Sequence, residues 1–187
     1  MELKVKESVY EPMEDSHMMQ REIEIRAKGK KVLDIGTGSG IQAITAALAG
    51  AKEVWAADVN PIAVRCAQSN AEANNCDINF VESDLFTYVP KKKFDLIVFN
   101  PPYLPSDGIH EDLRWSGGLE GIEVILDFLS QVKPFLARDG AILFIYSSYA
   151  NPDRLAKMMK RFGFKLEVVS QKHIFFEDIF VGLATIG

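Results

Sequence analysis

Two clusters of residues in this chain could do chemistry. Residues 34–40 read Asp-Ile-Gly-Thr-Gly-Ser-Gly, and residues 100–103 read Asn-Pro-Pro-Tyr. In the first, Gly36, Gly38 and Gly40 let the backbone turn sharply and let a ligand approach with no Cβ in the way. In the second, the Asn100 side-chain oxygen and the Pro101 carbonyl can each accept one hydrogen of an NH₂ group. Pro101 and Pro102 stiffen that segment and remove two N–H donors. Tyr103 offers a ring that can stack on the flat group carrying the nitrogen. Together the clusters point to methyl transfer from S-adenosylmethionine to a nitrogen.

The glycine loop excludes two commoner ligands. No Gly-Lys-Ser/Thr follows it, so it is not a P-loop. Position 41 is Ile, so the dinucleotide pattern G-x-G-x-x-G fails as well. Asp34 would repel a pyrophosphate, whereas the ammonium and sulfonium of S-adenosylmethionine suit a nearby carboxylate. Asp58 ends the next strand, where a carboxylate can accept from two ribose hydroxyls. Asp84 ends the third strand and can accept from the adenine amino group, with Leu85 against the ring. A lone glycine loop is a tight turn, and a lone strand-end acid is a helix cap. Three acids at successive strand ends beside the loop, with Thr37 inside it, favour a cofactor pocket.

An amide or aryl amine is a poor nucleophile because its lone pair is delocalised. Two acceptors on its hydrogens favour a more pyramidal nitrogen and disperse charge as the new bond forms. Alignment with the departing sulfur supplies much of the remaining acceleration. No Ser-His-Asp or Cys-His arrangement is needed, and none is seen. His17, His110 and His173 lie far apart in sequence and read as structural or solvent-facing.

The elements that must position these residues alternate. Val32–Ile35, Val54–Ala57, Phe80–Val81, Leu96–Phe99 and Ile142–Ile145 read as strands. Helices are predicted over Ile41–Ala49, from Asn60-Pro61, over Glu120–Leu136, and from Asn151-Pro152 to about Phe162. Lys165–Ser170 and Ile179–Ile186 read as a terminal antiparallel hairpin. The fold class is therefore α/β: a Rossmann-like, mostly parallel seven-stranded sheet of the class I methyltransferase kind, with helices on both faces. Ligands of such sheets sit beyond the carboxyl ends of the strands. Both clusters follow a strand directly, so they should meet at one edge.

Composition narrows the partners. The chain has 187 residues, 48% hydrophobic and 25% charged, enough for one domain with a real core. No apolar run reaches the roughly 18–20 residues that span a bilayer. The start, Met1 to Glu7, is charged and lacks a signal-peptide core, so a cytoplasmic protein with no membrane role is expected. Cys66 and Cys76 lack zinc or disulfide spacing and read as small packed thiols, so no metal is expected. The net charge of −5 weighs against a nucleic-acid partner, and Lys91-Lys92-Lys93 reads as a solvated loop.

Three segments carry a resemblance: Tyr10-Glu11-Pro12-Met13-Glu14-Asp15-Ser16, Asn100-Pro101-Pro102-Tyr103 and Trp115-Ser116-Gly117-Gly118-Leu119-Glu120-Gly121. The chain resembles the HemK-type glutamine methyltransferases, in particular their short archaeal and eukaryotic branch. These modify the glutamine of the Gly-Gly-Gln motif in class I translation release factors. The resemblance covers essentially the whole sequence. It implies one methyltransferase domain over 1–187, with 1–28 as a cofactor-lid segment and 29–187 as the core. With so few residues before the first expected strand, the extra N-terminal helical domain of the bacterial branch is not expected here. It also implies that Ser16, Asp34, Gly36, Asp58, Asp84 and Leu85 line the cofactor pocket and that Asn100 touches cofactor and substrate. A release factor as substrate, and a small zinc-binding activator subunit, are implied in the same way. From the residues alone, Glu14-Asp15-Ser16 reads as the capped start of a short helix carrying Met19, Ile23 and Ala27 on one face. Two other readings stay open. One is methylation of adenine N6 or guanine N2 in nucleic acid, which needs base flipping and a phosphate-binding surface. The other is a catalytically silent subunit with the same fold.

Overall fold

The described residues of the computed structural model are 1–103, 121–174 and 176–187. Helix α1 (Glu14–Arg26) precedes β1 (Lys31–Ile35), α2 (Ile41–Leu48), β2 (Glu53–Asp58), α3 (Pro61–Ala73), β3 (Asn79–Glu82) and β4 (Phe94–Phe99). Then come α4 (Glu123–Gln131), a 3₁₀ turn (Lys133–Phe135), β5 (Leu136–Ser147), α5 (Pro152–Arg161), β6 (Phe164–Ile174) and β7 (Glu177–Ile186). The seven strands form one sheet in the order β3-β2-β1-β4-β5-β7-β6. Pairing is parallel from β3 across to β5, and β7 inserts antiparallel between β5 and β6. The chain order reverses between β1 and β4, so the switch point lies where the two motifs leave the sheet.

Each central strand is buried on both faces and feeds two cores. In β4, Ile97 and Phe99 join the core under α4, with Phe128, Leu129 and Phe144. Leu96 and Val98 join the other, with Met18, Met19 and Ile23 of α1. The alternation follows the two-residue period of a strand. The rings of Phe99 and Phe128 stack 4.5 Å apart, seating α4 beneath the strand that carries the clamp.

Most expected elements appear, with longer strands than the apolar runs alone suggest. The single helix expected over Glu120–Leu136 is a correction. Helix α4 ends at Gln131, a 3₁₀ turn follows, and Leu136 already begins β5. Pro134 is the cause, since its ring lacks an N–H and clashes with the preceding helical turn. Asn60 caps α3 as expected, accepting from the Ile62 N–H at 2.9 Å with Pro61 in the first turn. The start of α1 differs: Met13 occupies the cap position with no side-chain cap bond, and Asp15 and Ser16 lie inside the first turn. Nor is the lysine run wholly solvated. Lys92 pairs with Glu53, and its ammonium lies 4.9 Å from the centre of the Trp55 ring.

The first residues form an extended strap along α3. Asn74 accepts from the Glu2 N–H and donates to the Glu2 carbonyl; Asn70 does the same for Lys4. The buried Cys66 thiol also donates to the Lys4 carbonyl. Among the described residues, no helix is long and apolar enough to cross a membrane.

Candidate active site

The loop between β1 and α2 needs its glycines. Gly36, Gly38 and Gly40 have φ of 67°, 55° and 87°, the left-handed region that other residues rarely adopt. At Gly40 a Cβ would stand 3.0 Å from the Cβ of Ala67 and 3.1 Å from its Cα, so the loop is pressed against α3. The Thr37 N–H donates to the Ala57 carbonyl at 3.0 Å, and the Gly38 N–H to Asp58 Oδ2 at 2.9 Å.

Asp34 stands behind this loop. It is 1% exposed and accepts from the Thr37 hydroxyl at 2.7 Å. Burial pushes its carboxyl up to about 7; nearby Asp58 adds to the rise, and bonds from Thr37 and the Ala43 backbone oppose it. Asp58 accepts from Asn60 N–H through Oδ1 and from Gly38 N–H through Oδ2, each at 2.9 Å. Its carboxyl too is raised by burial, against the pull of these backbone donors. With the Val59 backbone as a third donor, the carboxylate keeps acceptor capacity for a further donor. At the end of β3, Ser83 N–H bonds the Asp58 carbonyl and the Ser83 hydroxyl bonds the Leu85 carbonyl. Leu85 is held at φ 44°, a left-handed conformation that costs a side-chain residue roughly 1–2 kcal/mol.

The clamp follows β4. Asn100 Nδ2 donates to Asp15 Oδ2 at 3.1 Å and lies 3.4 Å from the Ser16 hydroxyl. Its Oδ1 is buried and has no hydrogen-bond partner among the described residues. The Tyr103 hydroxyl donates to the same Asp15 oxygen at 3.3 Å, and Tyr10 donates to the other at 2.9 Å. Burial first, and the Asp15 charge second, push both phenols far above their usual range, so both remain protonated donors. The Tyr103 ring is mostly packed in the core beside α1. The stacking role expected for that ring does not foreshadow its hydroxyl bond to Asp15.

Both motifs wall one cavity of about 770 Å³. Ser16, Gly36, Thr37, Gly38, Asp58, Asp84, Leu85, Asn100, Pro101, Pro102 and Tyr103 all line it. Asp34 and Gly40 stand behind the wall and shape the loop. Tyr10, Asp15 and Gln42 also line it, and sequence reasoning does not assign them. Gln42 Nε2 donates to the Ser16 carbonyl at 2.9 Å, while its Oε1 is buried and unpartnered among the described residues. The one signal for Tyr10 and Asp15 is the segment from Tyr10 to Ser16, which the resemblance matches throughout but in which it gives a cofactor contact to Ser16 alone. A more open groove of about 1030 Å³ runs between the strap and the end of β6 and shares Val9 and Tyr10 with the cavity. It holds neither the glycine loop nor the clamp, so the chemistry belongs to the smaller cavity. His110 and all of the tryptophan loop except Gly121 lie outside the described residues. His17 bonds Gln20 and His173 bonds Asp178, both on the surface.

The methyltransferase small domain family matches residues 14–176. A Methanocaldococcus jannaschii protein named for protein N5-glutamine methyltransferase activity is 37% identical over 96% of this chain and 92% of its own length. The human methyltransferase HEMK2 is 34% identical over 83% of this chain and 79% of its own. Among solved structures, Mtq2 of E. cuniculi, in its complex with Trm112, superimposes with a TM-score of 0.77. That match is 25% identical and covers 96% of this chain and 99% of the other. The chain belongs to the methyltransferase small domain family and, within it, to the HemK-type glutamine methyltransferases.

Proposed function

We propose that this enzyme transfers a methyl group from S-adenosylmethionine to the side-chain amide of the Gly-Gly-Gln glutamine in a class I translation release factor. The observation that carries this reading is the Asn100 side chain. It stands at the wall of the cavity that also holds the glycine loop, with its amide nitrogen engaged and its amide oxygen unpartnered among the described residues. An acceptor beside the Pro101 carbonyl suits an NH₂ group.

The residues present fit the cofactor. A cavity of this size is within the usual range of small-molecule sites, roughly 300–1,000 Å³. Asp58 offers spare acceptor positions for ribose hydroxyls, and Leu85 an apolar wall for the base. Gln42 Oε1 places a further acceptor where an ammonium would be stabilised. Gly36, Thr37 and Gly38 give a close backbone approach. The cofactor supplies a methyl group on a positively charged sulfur. The chain's own work is to hold the amide nitrogen in line, draw on its hydrogens through two acceptors, and exclude water from the reacting atoms.

The named relatives support the substrate. The M. jannaschii protein is named for N5-glutamine methylation, and the Mtq2–Trm112 complex of E. cuniculi is described as responsible for methylating the translation termination factor eRF1. A small activator subunit is part of the proposal, supported by the Mtq2–Trm112 complex; that it binds zinc is implied by the family resemblance alone. The test is transfer of labelled methyl from S-adenosylmethionine by purified chain, with its activator supplied. Label is expected on a release factor and not on its Gln→Ala variant. Equal label on both, or label only on a nucleic acid, overturns the assignment.

A further inference from the structure

We propose that Asp15 is a positioning residue of the clamp, deciding which face of the Asn100 amide meets the substrate. The inference deepens the functional reading above and rests on it.

An asparagine amide has two nearly isosteric faces. Turned one way, Asn100 offers its oxygen to the NH₂ of an incoming amide. Turned the other, it offers its own NH₂, and donor meets donor. The preference must come from neighbours, since the two orientations differ little in shape. The Ser16 hydroxyl gives its one proton to Asp15 Oδ1 at 3.2 Å, so its oxygen, 3.4 Å from Nδ2, accepts from Asn100 only while Asp15 holds that proton. Asp15 itself selects. An ionised carboxylate is acceptor-only, so with its Oδ2 at 3.1 Å the amide must turn its nitrogen inward. The reverse orientation would set oxygen against carboxylate at the same distance. Oδ1 is thereby left without a partner among the described residues, as observed.

Asp15 is itself fixed. It is 2% exposed, and its oxygens take the Ser16 N–H at 2.6 Å, the Tyr10 hydroxyl at 2.9 Å and the Tyr103 hydroxyl at 3.3 Å. These donors come from the strap, from α1 and from the clamp itself. Asp15 thus makes the orientation of Asn100 depend on the seating of α1. Charge-assisted bonds of this kind are about twice as strong as neutral ones, which suits a group that must hold one orientation.

The test uses the full chain with its activator and the Asp15→Asn variant. That variant keeps the shape. Its oxygen is claimed by the Ser16 N–H and the Tyr10 hydroxyl, so its NH₂ faces Asn100 and turns that amide over. Turnover at saturating cofactor and release factor is expected to fall roughly 100-fold, the scale of losing one transition-state hydrogen-bonding group. Cofactor affinity by calorimetry is expected to stay within about threefold, a split that removal of a cofactor ligand would not give. Unchanged turnover overturns the proposal. So does a loss of cofactor affinity as large as the loss of turnover, which would make Asp15 a cofactor ligand.

Two further measurements guard against misfolding and against a wrong substrate. Asp15→Ala should recover turnover with added formate, an acceptor-only anion, but not with formamide; rescue by neither overturns the proposal. In a ¹⁵N-labelled sample without substrate, the Asn100 side-chain amide signal, identified by its absence in Asn100→Ala, should shift in Asp15→Asn. An unmoved signal overturns the proposal. If wild-type chain fails to label the release factor while that signal shifts, the functional reading fails and the Asp15 assignment stands.

Discussion

The two halves of the cavity are held together in different ways. The cofactor half is made of consecutive strand ends on β1, β2 and β3, and backbone groups supply most of its bonds: Gly38 N–H and Asn60 N–H to Asp58, Ser83 N–H to the Asp58 carbonyl. The clamp half depends on side chains that meet across long stretches of sequence. Asp15 is 85 residues from Asn100 and 88 from Tyr103. Strand ends, with the loops that leave them packed on the adjacent helix, complete most of the first half. The second also needs α1 docked, through the buried Met18, Met19 and Ile23. On the proposed function, the chain separates holding a cofactor from aligning a nitrogen, and each half should fail separately.

The sharpest break of that separation is Asn100→Ala. It removes the clamp amide and leaves the backbone bonds of the cofactor half intact. Turnover is expected to fall by about 10²–10³, as for loss of one preorganised hydrogen-bonding group. Cofactor affinity, read by calorimetry, should move only a few-fold. Equal losses in both would merge the two halves. The converse is Asp58→Ala, which strikes the cofactor half. It removes the acceptor of three backbone N–H groups and the spare acceptor capacity beside the cavity. Cofactor binding should weaken by roughly 1–3 kcal/mol, with turnover at saturation largely kept. A calorimetric titration with no change would remove Asp58 from the pocket.

The same division explains what is legible in the sequence. Gly36, Gly38 and Gly40, and the acids Asp34, Asp58 and Asp84, stand at strand ends. A strand-then-glycine pattern fixes where they go. The cofactor wall can therefore be assembled from local rules, apart from the placement of Asp34 and Gly40 behind it. Asn100 is legible for the same reason, directly after the apolar run of β4. Asp15 is not. Its role arises only when α1 packs across the sheet, and a periodicity of apolar residues does not say which turn of a helix lands on which strand end. The α4 boundary departs from expectation for a local reason, because the apolar spacing of Ile122 to Leu129 does not carry through Pro134.

Gly40→Ala probes how tightly the cofactor half is built. The new Cβ would meet Ala67 at 3.0 Å in a left-handed conformation. Relief requires the loop or α3 to shift, since the obstacle is a short side chain and backbone. A loss of stability of about 1–2 kcal/mol is expected from the conformation alone, measured as a lower urea midpoint with an unchanged slope. The clamp does not touch Gly40, so turnover at saturating cofactor should hold. A variant as stable as wild type would show that the loop is not pressed on α3.

The last contrast is in pH, and it too divides the halves. Asp34, pushed up to about 7, binds its proton in the folded chain at a pH where the unfolded chain, near 3.9, has lost it. The folded state then holds more protons between those values. Its contribution to stability is complete below the unfolded value, declines as pH rises, and is gone above about 7. The slope from this one group is at most about 1.4 kcal/mol per pH unit. Asp58, also raised by burial, adds to the same sign. In the clamp half the raised phenols of Tyr10 and Tyr103 do not titrate in this window and remain donors throughout. Urea midpoints of the free chain at pH 5, 6 and 7 should therefore fall with pH. Asp34→Asn should flatten that fall, because an amide keeps an acceptor for the Thr37 hydroxyl and has no proton to lose. Tyr103→Phe should lower all three midpoints by a similar amount and leave the slope alone. Identical slopes for wild type and Asp34→Asn would place the titrating group elsewhere and remove the electrostatic contrast between the two halves.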